Sequence, residues 1–429
     1  MRQQVRFLTL LFLAFTHPPC FGQTAENLTL AEAEKIAVQN HPQIQVATYL
    51  ASAASARVQQ ARSAYYPQAY GSMTGVDAEN NSRVAAGALN NPIIFERYSN
   101  GVTVGQLLTD FGRTHELVKS SSYHAQARQE DVVATRADVL LQVDQAYFAV
   151  LKAQTVLQVA EKTVSTRQLV ADQVSALAKN KLRSGLDVSF ANVDLAQAQL
   201  LLVQAQNDLQ ASSADLSTAL GYSAPRTFHL SEEPVSAAPP ADLAALLQQA
   251  LQNRPELISQ RLDVNSAKSY ATAERDLWFP TITAVGTAGL TPYGADQLAP
   301  RYAAAGFNVN IPLFNGHLYG ALRSEADAQA QAQQQYLRTL QDRVVRDVQK
   351  AWLNAISDYQ RLSLTDQLLK NATEALDLAQ ERYKLGLSSI IELSQAQLNE
   401  TQAEIAQAGA KYDYEAQLSA LNYQVGRMP

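Results

Sequence analysis

Trp278-Phe279-Pro280-Thr281-Ile282-Thr283-Ala284-Val285-Gly286-Thr287-Ala288-Gly289-Leu290 decides how the chain is read. Two aromatics and a proline close a helical pattern, and an alternating run begins. Ile282, Ala284, Gly286, Ala288 and Leu290 take one face, and Thr281, Thr283, Val285 and Thr287 the other. A period of two with small and β-branched residues predicts a strand. A polar, turn-rich stretch follows, Thr291 to Arg301, and then a second alternating run returns: Phe307, Val309, Ile311 and Leu313 oppose Asn308 and Asn310. Runs of about 10 alternating residues suit a tilted membrane strand. The segment therefore predicts a hairpin over about 279–314.

The same text occurs earlier. Tyr65-Tyr66-Pro67 opens a Gly- and Thr-rich stretch to Val76, and Val102, Val104, Gln106 and Leu108 return on one face, a hairpin over about 66–108. His41-Pro42 and Arg254-Pro255 each precede their aromatic-proline pair by 25 residues, and the copies lie 213 residues apart. A repeat this long means two copies of one structural unit. Each copy opens with short helices: Thr29 caps the first, and Pro42 and Pro255 suit the first turn of the next. Four strands cannot close a barrel, so they join strands of other chains or form a small soluble sheet.

Beyond each hairpin comes a matched turn, Asp110-Phe111-Gly112 and Asn315-Gly316-His317, at offset 205. Arg113 to about Leu182 is then free of breakers, roughly 70 residues or about 105 Å as one helix. Ala321 to Leu385 is its counterpart. Val139, Val143, Ala146, Val150, Ala153, Leu157, Ala160 and Val164 step by four and three, and Val344, Val348, Ala351, Ala355, Leu362, Leu369, Ala372, Leu376 and Ala379 keep the same seam. Such heptads predict coiled-coil packing. Asp358 interrupts the second seam, and Trp352 reads as core. The helices end at Ser184-Gly185-Leu186 and Leu385-Gly386-Leu387 and reverse into helices over about 188–220 and 390–423. The two glycines are 201 apart, which implies four extra residues in the first copy.

The domain plan is a signal peptide over 1–22, a first repeat over 23–220 with its tip at 184–188, a Pro-rich linker over 221–240, and a second repeat over 241–429 with its tip at 385–389. The basic start, the apolar run from Phe7 to Phe15 and the small residue Gly22 mark the signal. His17-Pro18-Pro19 before Cys20 does not match a lipidation site. Cys20 is the only cysteine, so the mature chain has no disulfide or thiolate metal site. Removing Arg2 and Arg6 takes the formal charge from −6 to −8, against a nucleic-acid partner. No later stretch approaches the roughly 18 apolar residues of a membrane helix, so a β-barrel is the one way this chain crosses a bilayer. His41, His115, His124, His229 and His317 show no zinc spacing, and no phosphate-cradling glycine loop or nucleophile turn is present. No cofactor is implied, and an exported enzyme lacks any assembled motif.

Taken in order, the two helix-proline-helix openings, the aromatic-proline strand starts, the Asp/Asn-x-Gly exits and the Gly-Leu tips resemble the TolC family of outer-membrane efflux and secretion channels, over essentially the whole mature chain. The resemblance implies a mainly α protein with a membrane β-barrel: a homotrimer, twelve strands in the outer membrane of a Gram-negative-type bacterium, and an α-helical tunnel through the periplasm. It further implies a passive exit duct for efflux or type I secretion, joined through a periplasmic adaptor to an inner-membrane pump of resistance-nodulation-division or ATP-driven type. Gly185, Leu186, Gly386 and Leu387 match adaptor-contacting tips. Glu392 matches an acidic ring at the periplasmic gate, whose next position is Gln395. Tyr383 matches a closing tyrosine whose carboxylate partner, six residues past the first tip glycine, is Ala191, with Asp187 or Asp194 as substitutes. Tyr65, Tyr66, Trp278 and Phe279 read as an aromatic girdle facing outer-membrane lipid. The plainer readings are a solvated first-turn carboxylate for Glu392, a helix cap for Asp187, and packing under a sheet for the aromatics. A soluble periplasmic coiled-coil scaffold or adaptor is the alternative, and the four alternating runs count against it.

Overall fold

The structure, a computed structural model, describes residues 27–83 and 93–428. The expected signal peptide lies outside these residues.

The chain runs β1 (Asn27–Leu28), α1 (Leu30–Asn40), α2 (Pro42–Arg62), β2 (Gln68–Val76), β3 (Arg97–Thr109), α3 (Arg113–Lys179), α4 (Gly185–Ala219), β4 (His229–Leu230), α5 (Leu243–Asn253), α6 (Pro255–Arg275), β5 (Thr281–Gly294), β6 (Arg301–Asn310), α7 (Leu318–Lys384) and α8 (Ile390–Val425). Local chemistry sets the borders. Thr29 and Glu32 form a capping box on α1, and Pro42 and Pro255 occupy the first turns of α2 and α6. Asp110 accepts from the backbone N–H and the hydroxyl of Thr114 at 2.7 and 2.5 Å, which starts α3 directly out of β3.

The four long strands form one antiparallel sheet, in the order β2-β3-β5-β6. Its register places Met73, Val102, Val104, Ala288, Ala303, Ala305 and Phe307 on one face, and Ser72, Thr103, Thr283, Thr287 and Asn308 on the other. Thr103 and Thr287 share a hydrogen bond of 3.2 Å across that polar face. The apolar face is uncovered: Met73, Val102, Leu290, Phe307 and Val309 are all exposed. β2 and β6 have no outer neighbour among the described residues.

α3 and α7 are 67 residues each, about 100 Å. They pair antiparallel with α4 and α8, and α3 also packs on α8. Three larger apolar cores hold the bundle, with a small fourth of Ala54, Val58 and Ala125 between α2 and α3. One joins α1 to Val139, Val143, Val150 and Leu216; its repeat joins α5 to Val344, Val348, Ala351 and Leu421; the third sits near the helical tips around Val174, Leu376 and Tyr383. In the tip half the first seam carries a charge, because Arg167 is buried at a heptad position with its Nη1 unpartnered.

The Pro-rich segment is a strap. β4 pairs parallel with β1, Tyr147 Oη donates to the carbonyls of Leu28 and Ser231, and the Glu415 carboxylate accepts from the Ser236 backbone and hydroxyl at 2.6 and 2.7 Å. Trp352, half-buried against the second core, donates its indole N–H to Pro240 O at 2.8 Å. No helix among the described residues is long and apolar enough to cross a membrane.

Candidate functional site at the helical tips

The tips are two turns of equal length. In the second, α7 ends at Lys384, Gly386 takes φ +73°, and Ser389 caps α8 by accepting from Glu392 N. In the first, α3 ends at Lys179, Lys181 takes φ +58°, and Ser184 caps α4. Ser184 Oγ accepts from Asp187 N at 3.1 Å while the Asp187 carboxylate accepts from Ser184 N at 3.0 Å. Lys181 and Gly386, Ser184 and Ser389, and Asp187 and Glu392 all lie 205 apart, the offset of the seam.

This corrects the expected tip alignment. Gly185 is not the turn residue; it is the first residue of α4, in open space, and it matches Ile390 rather than Gly386. The turn lies at 180–184, and no extra residues separate the copies. Sequence reading paired the two glycines because glycine is the usual residue at positive φ; here a lysine takes that conformation. Counted from Lys181, the sixth residue is Asp187 rather than Ala191, and Glu392 has a counterpart in the first copy. Ala191 is buried in the tip core.

Tyr383 is buried with its hydroxyl unpartnered. No carboxylate bonds it. Arg183, from the opposite turn, lays its guanidinium 4.2 Å from the ring centroid and donates to Tyr383 O at 3.1 Å. Burial raises the tyrosine's pKa; Arg183 lowers it, and the Asp187 charge raises it. Asp194 instead accepts from Ser394, across from α8. Glu392 faces Arg382, with Oε1 and Nε 3.3 Å apart. Leu182, Leu186, Leu385, Leu387 and Ile391 are exposed around the turns. Sequence reading missed Arg183 and Arg382; carrying the 205 offset through the tips would have aligned Asp187 with Glu392, but nothing local marks Arg183 as the partner of a residue 200 positions on.

At the far end of the helices, Tyr65, Tyr66, Trp278 and Phe279 are all partly or largely exposed where helix turns to strand. Trp278 stands edge-on to Tyr319 at 5.7 Å, and Phe279 lies 6.0 Å from Phe111. Among the described residues no group of His, Cys, Asp and Glu could hold a metal ion.

A four-stranded sheet with an uncovered apolar face, set on paired helices of about 100 Å, defines a class: a channel protein whose sheet completes itself in a membrane. The outer membrane efflux protein family matches residues 35–222 and 246–427, and the chain belongs to that family. It is 26% identical to the outer membrane efflux protein BepC of Brucella suis over 95% of this chain and 87% of that one. It is also 26% identical to the outer membrane protein TolC of Vibrio cholerae over 94% of this chain and 91% of that one. The fold superposes on the open-state MtrE outer membrane channel of Neisseria gonorrhoeae with a TM-score of 0.77, over 92% of this chain and 88% of that one, at 19% identity. The protein is an outer-membrane efflux channel of the TolC type, a transport protein and not an enzyme.

Proposed function

We propose that three copies close one barrel of twelve strands and one helical tunnel, and that the trimer is the passive exit duct of a tripartite efflux pump or type I secretion system. The observation that carries this reading is the sheet of four strands whose two edges are unpaired, and whose apolar face is bare, among the described residues. An edge strand left open in a bilayer leaves several kcal/mol per backbone group unsatisfied, so the edges must meet other copies.

The tips then face the periplasmic adaptor. Leu186 and Leu387, with their neighbours Leu182 and Leu385, supply apolar contact, while Gly386 and Lys181 shape the turns and Gly185 starts a helix. The adaptor links the duct to an inner-membrane pump of resistance-nodulation-division or ATP-driven type, which supplies the energy. Glu392, three times around the axis, favours cations. Tyr383 and Arg183 join the two helical hairpins of one chain, and Asp187 lies close enough to bias that contact, so this trio is the closing latch. Tyr65, Tyr66, Trp278 and Phe279 sit at the periplasmic lipid interface.

Cell fractionation tests the reading. The mature protein is expected with outer membranes, running as a trimer that heat or denaturing detergent dissociates. Recovery as a soluble periplasmic monomer would overturn it.

A further inference from the structure

One row of the sheet is unlike the rest. Ser72 pairs with Gly101, Gly101 with Gly289, and Gly289 with Tyr302, so a single line across β2, β3, β5 and β6 carries serine, two glycines and a tyrosine. The row adjoins Leu290 and Arg301, the last pair before the β5–β6 loop, at the end of the sheet away from the long helices.

Tyr302 does not stand up from this row. Its ring lies across both glycines. A methyl group on Gly101 would collide with its Oη, come within 3.1 Å of its Cζ and stand 2.8 Å from the backbone Ala288 O; one on Gly289 would collide with both ring atoms and with the backbone Asn100 O. The hydroxyl reaches past β5 and donates to Asn100 O on β3 at 3.4 Å. A tyrosine can span the strand spacing of about 4.8 Å only by lying along the wall, and only residues without Cβ leave that space.

The face is the polar one, shared with Thr103, Thr287 and Asn308. In a membrane barrel that face lines the lumen. We infer that Gly101 and Gly289 hold Tyr302 flat against the lumenal wall at the outer mouth, and that this packing keeps the bore open there: the two glycines are the size-determining positions, one pair in each third of the barrel. This rests on the trimeric-barrel reading proposed above.

The mouth is best read by its own size limit, because conductance is dominated by the narrowest point of the duct. Asn308→Cys, deeper on the same face, is labelled on intact cells with maleimide-polymers of graded size. The smallest reagent is expected to label the trimer; if it does not, the lumenal face is misassigned and both the barrel reading and this inference fall. With a large reagent, Gly101→Ala is expected to slow labelling several-fold by forcing the ring into the lumen, and adding Tyr302→Ala is expected to restore most of the rate, the remaining contact of the methyl being with the Ala288 carbonyl in the plane of the wall. Wild-type rates in Gly101→Ala, or a slow rate that Tyr302→Ala leaves unchanged, overturn the inference while leaving the barrel intact. Should Gly101→Ala fail to assemble, Tyr302→Ala alone still decides: a parked ring predicts an unchanged size limit, and entry of larger reagents shows that the ring projects.

Discussion

Two acidic residues differ in what their surroundings ask of them. Asp144 lies on α3 inside the first core, with Oδ1 unpartnered. Burial pushes its pKa up to about 7; a hydrogen bond from Ser419 pulls it down and neighbouring Glu34 pushes it up. The folded value lies above the unfolded one, so the folded state holds the proton longer. The contribution to stability is undiminished below about pH 4, falls as pH rises between about 4 and 7, and is then constant. A shift of that size is worth on the order of 4 kcal/mol above pH 7. Asp144→Asn is therefore expected to raise the melting temperature of the detergent-solubilised protein at pH 8 and to change it little at pH 4; equal effects at both would show that the carboxyl ionises normally. Glu392 is half-exposed and paired with Arg382, so the field it would exert on the proposed axis is partly cancelled. One unit charge near an ion in water is worth about 1 kcal/mol, or up to about fivefold in selectivity at low salt. In planar bilayers Glu392→Gln should lower the cation preference and Arg382→Gln should raise it. Unchanged selectivity in both would make the pair a solvated helix contact.

The elements were legible where a period repeats many times. Heptads from Val139 and Val344 gave both long helices, and aromatic-proline starts with their returning alternating runs gave the existence of all four strands, although β6 begins at Arg301 and ends at Asn310, so Ile311 and Leu313 lie beyond it. The turns were less so, because a single residue sets them. Lys181 pays the left-handed strain that Gly386 avoids, which is about 1 kcal/mol for a residue with a Cβ. Lys181→Gly should therefore stabilise the first hairpin by about 1 kcal/mol, and Gly386→Ala should destabilise the second by about as much. Gly185→Ala, on a helix with open space around it, should stabilise by up to about 0.5 kcal/mol. Thermal melts followed by circular dichroism check all three; a loss with Gly185→Ala would return that glycine to the turn. The strap was illegible for another reason. β1 and β4 are two residues each, too short for any period, and Tyr147 holds them through the carbonyls of Leu28 in β1 and of Ser231 just past β4 rather than through a motif. Arg167 and Asp144 escaped because heptad reading seeks apolar residues and passes over buried charges.

For the whole molecule, the edges of the sheet constrain how the barrel closes. β2 and β6 are opposite edges, so contact between copies joins unlike strands, β6 of one chain to β2 of the next. A head-to-tail contact of this kind forms a ring if its rotation closes and a filament if it does not. The two repeats favour a ring: α3 and α7 have equal lengths, and their hairpins leave the sheet in the same direction, so every copy adds the same pair of helical hairpins to one wall. Ser72→Cys on β2 and Ala304→Cys on β6 lie on the polar face at the two edges, too far apart to be linked within one chain. Treated in membranes with a short bis-maleimide, the double variant should give linked dimers and trimers and nothing larger, while each single variant stays unlinked. A ladder continuing past the trimer would mean that the edges propagate without closing. Linkage in either single variant would mean that like edges meet, and the head-to-tail ring would fail.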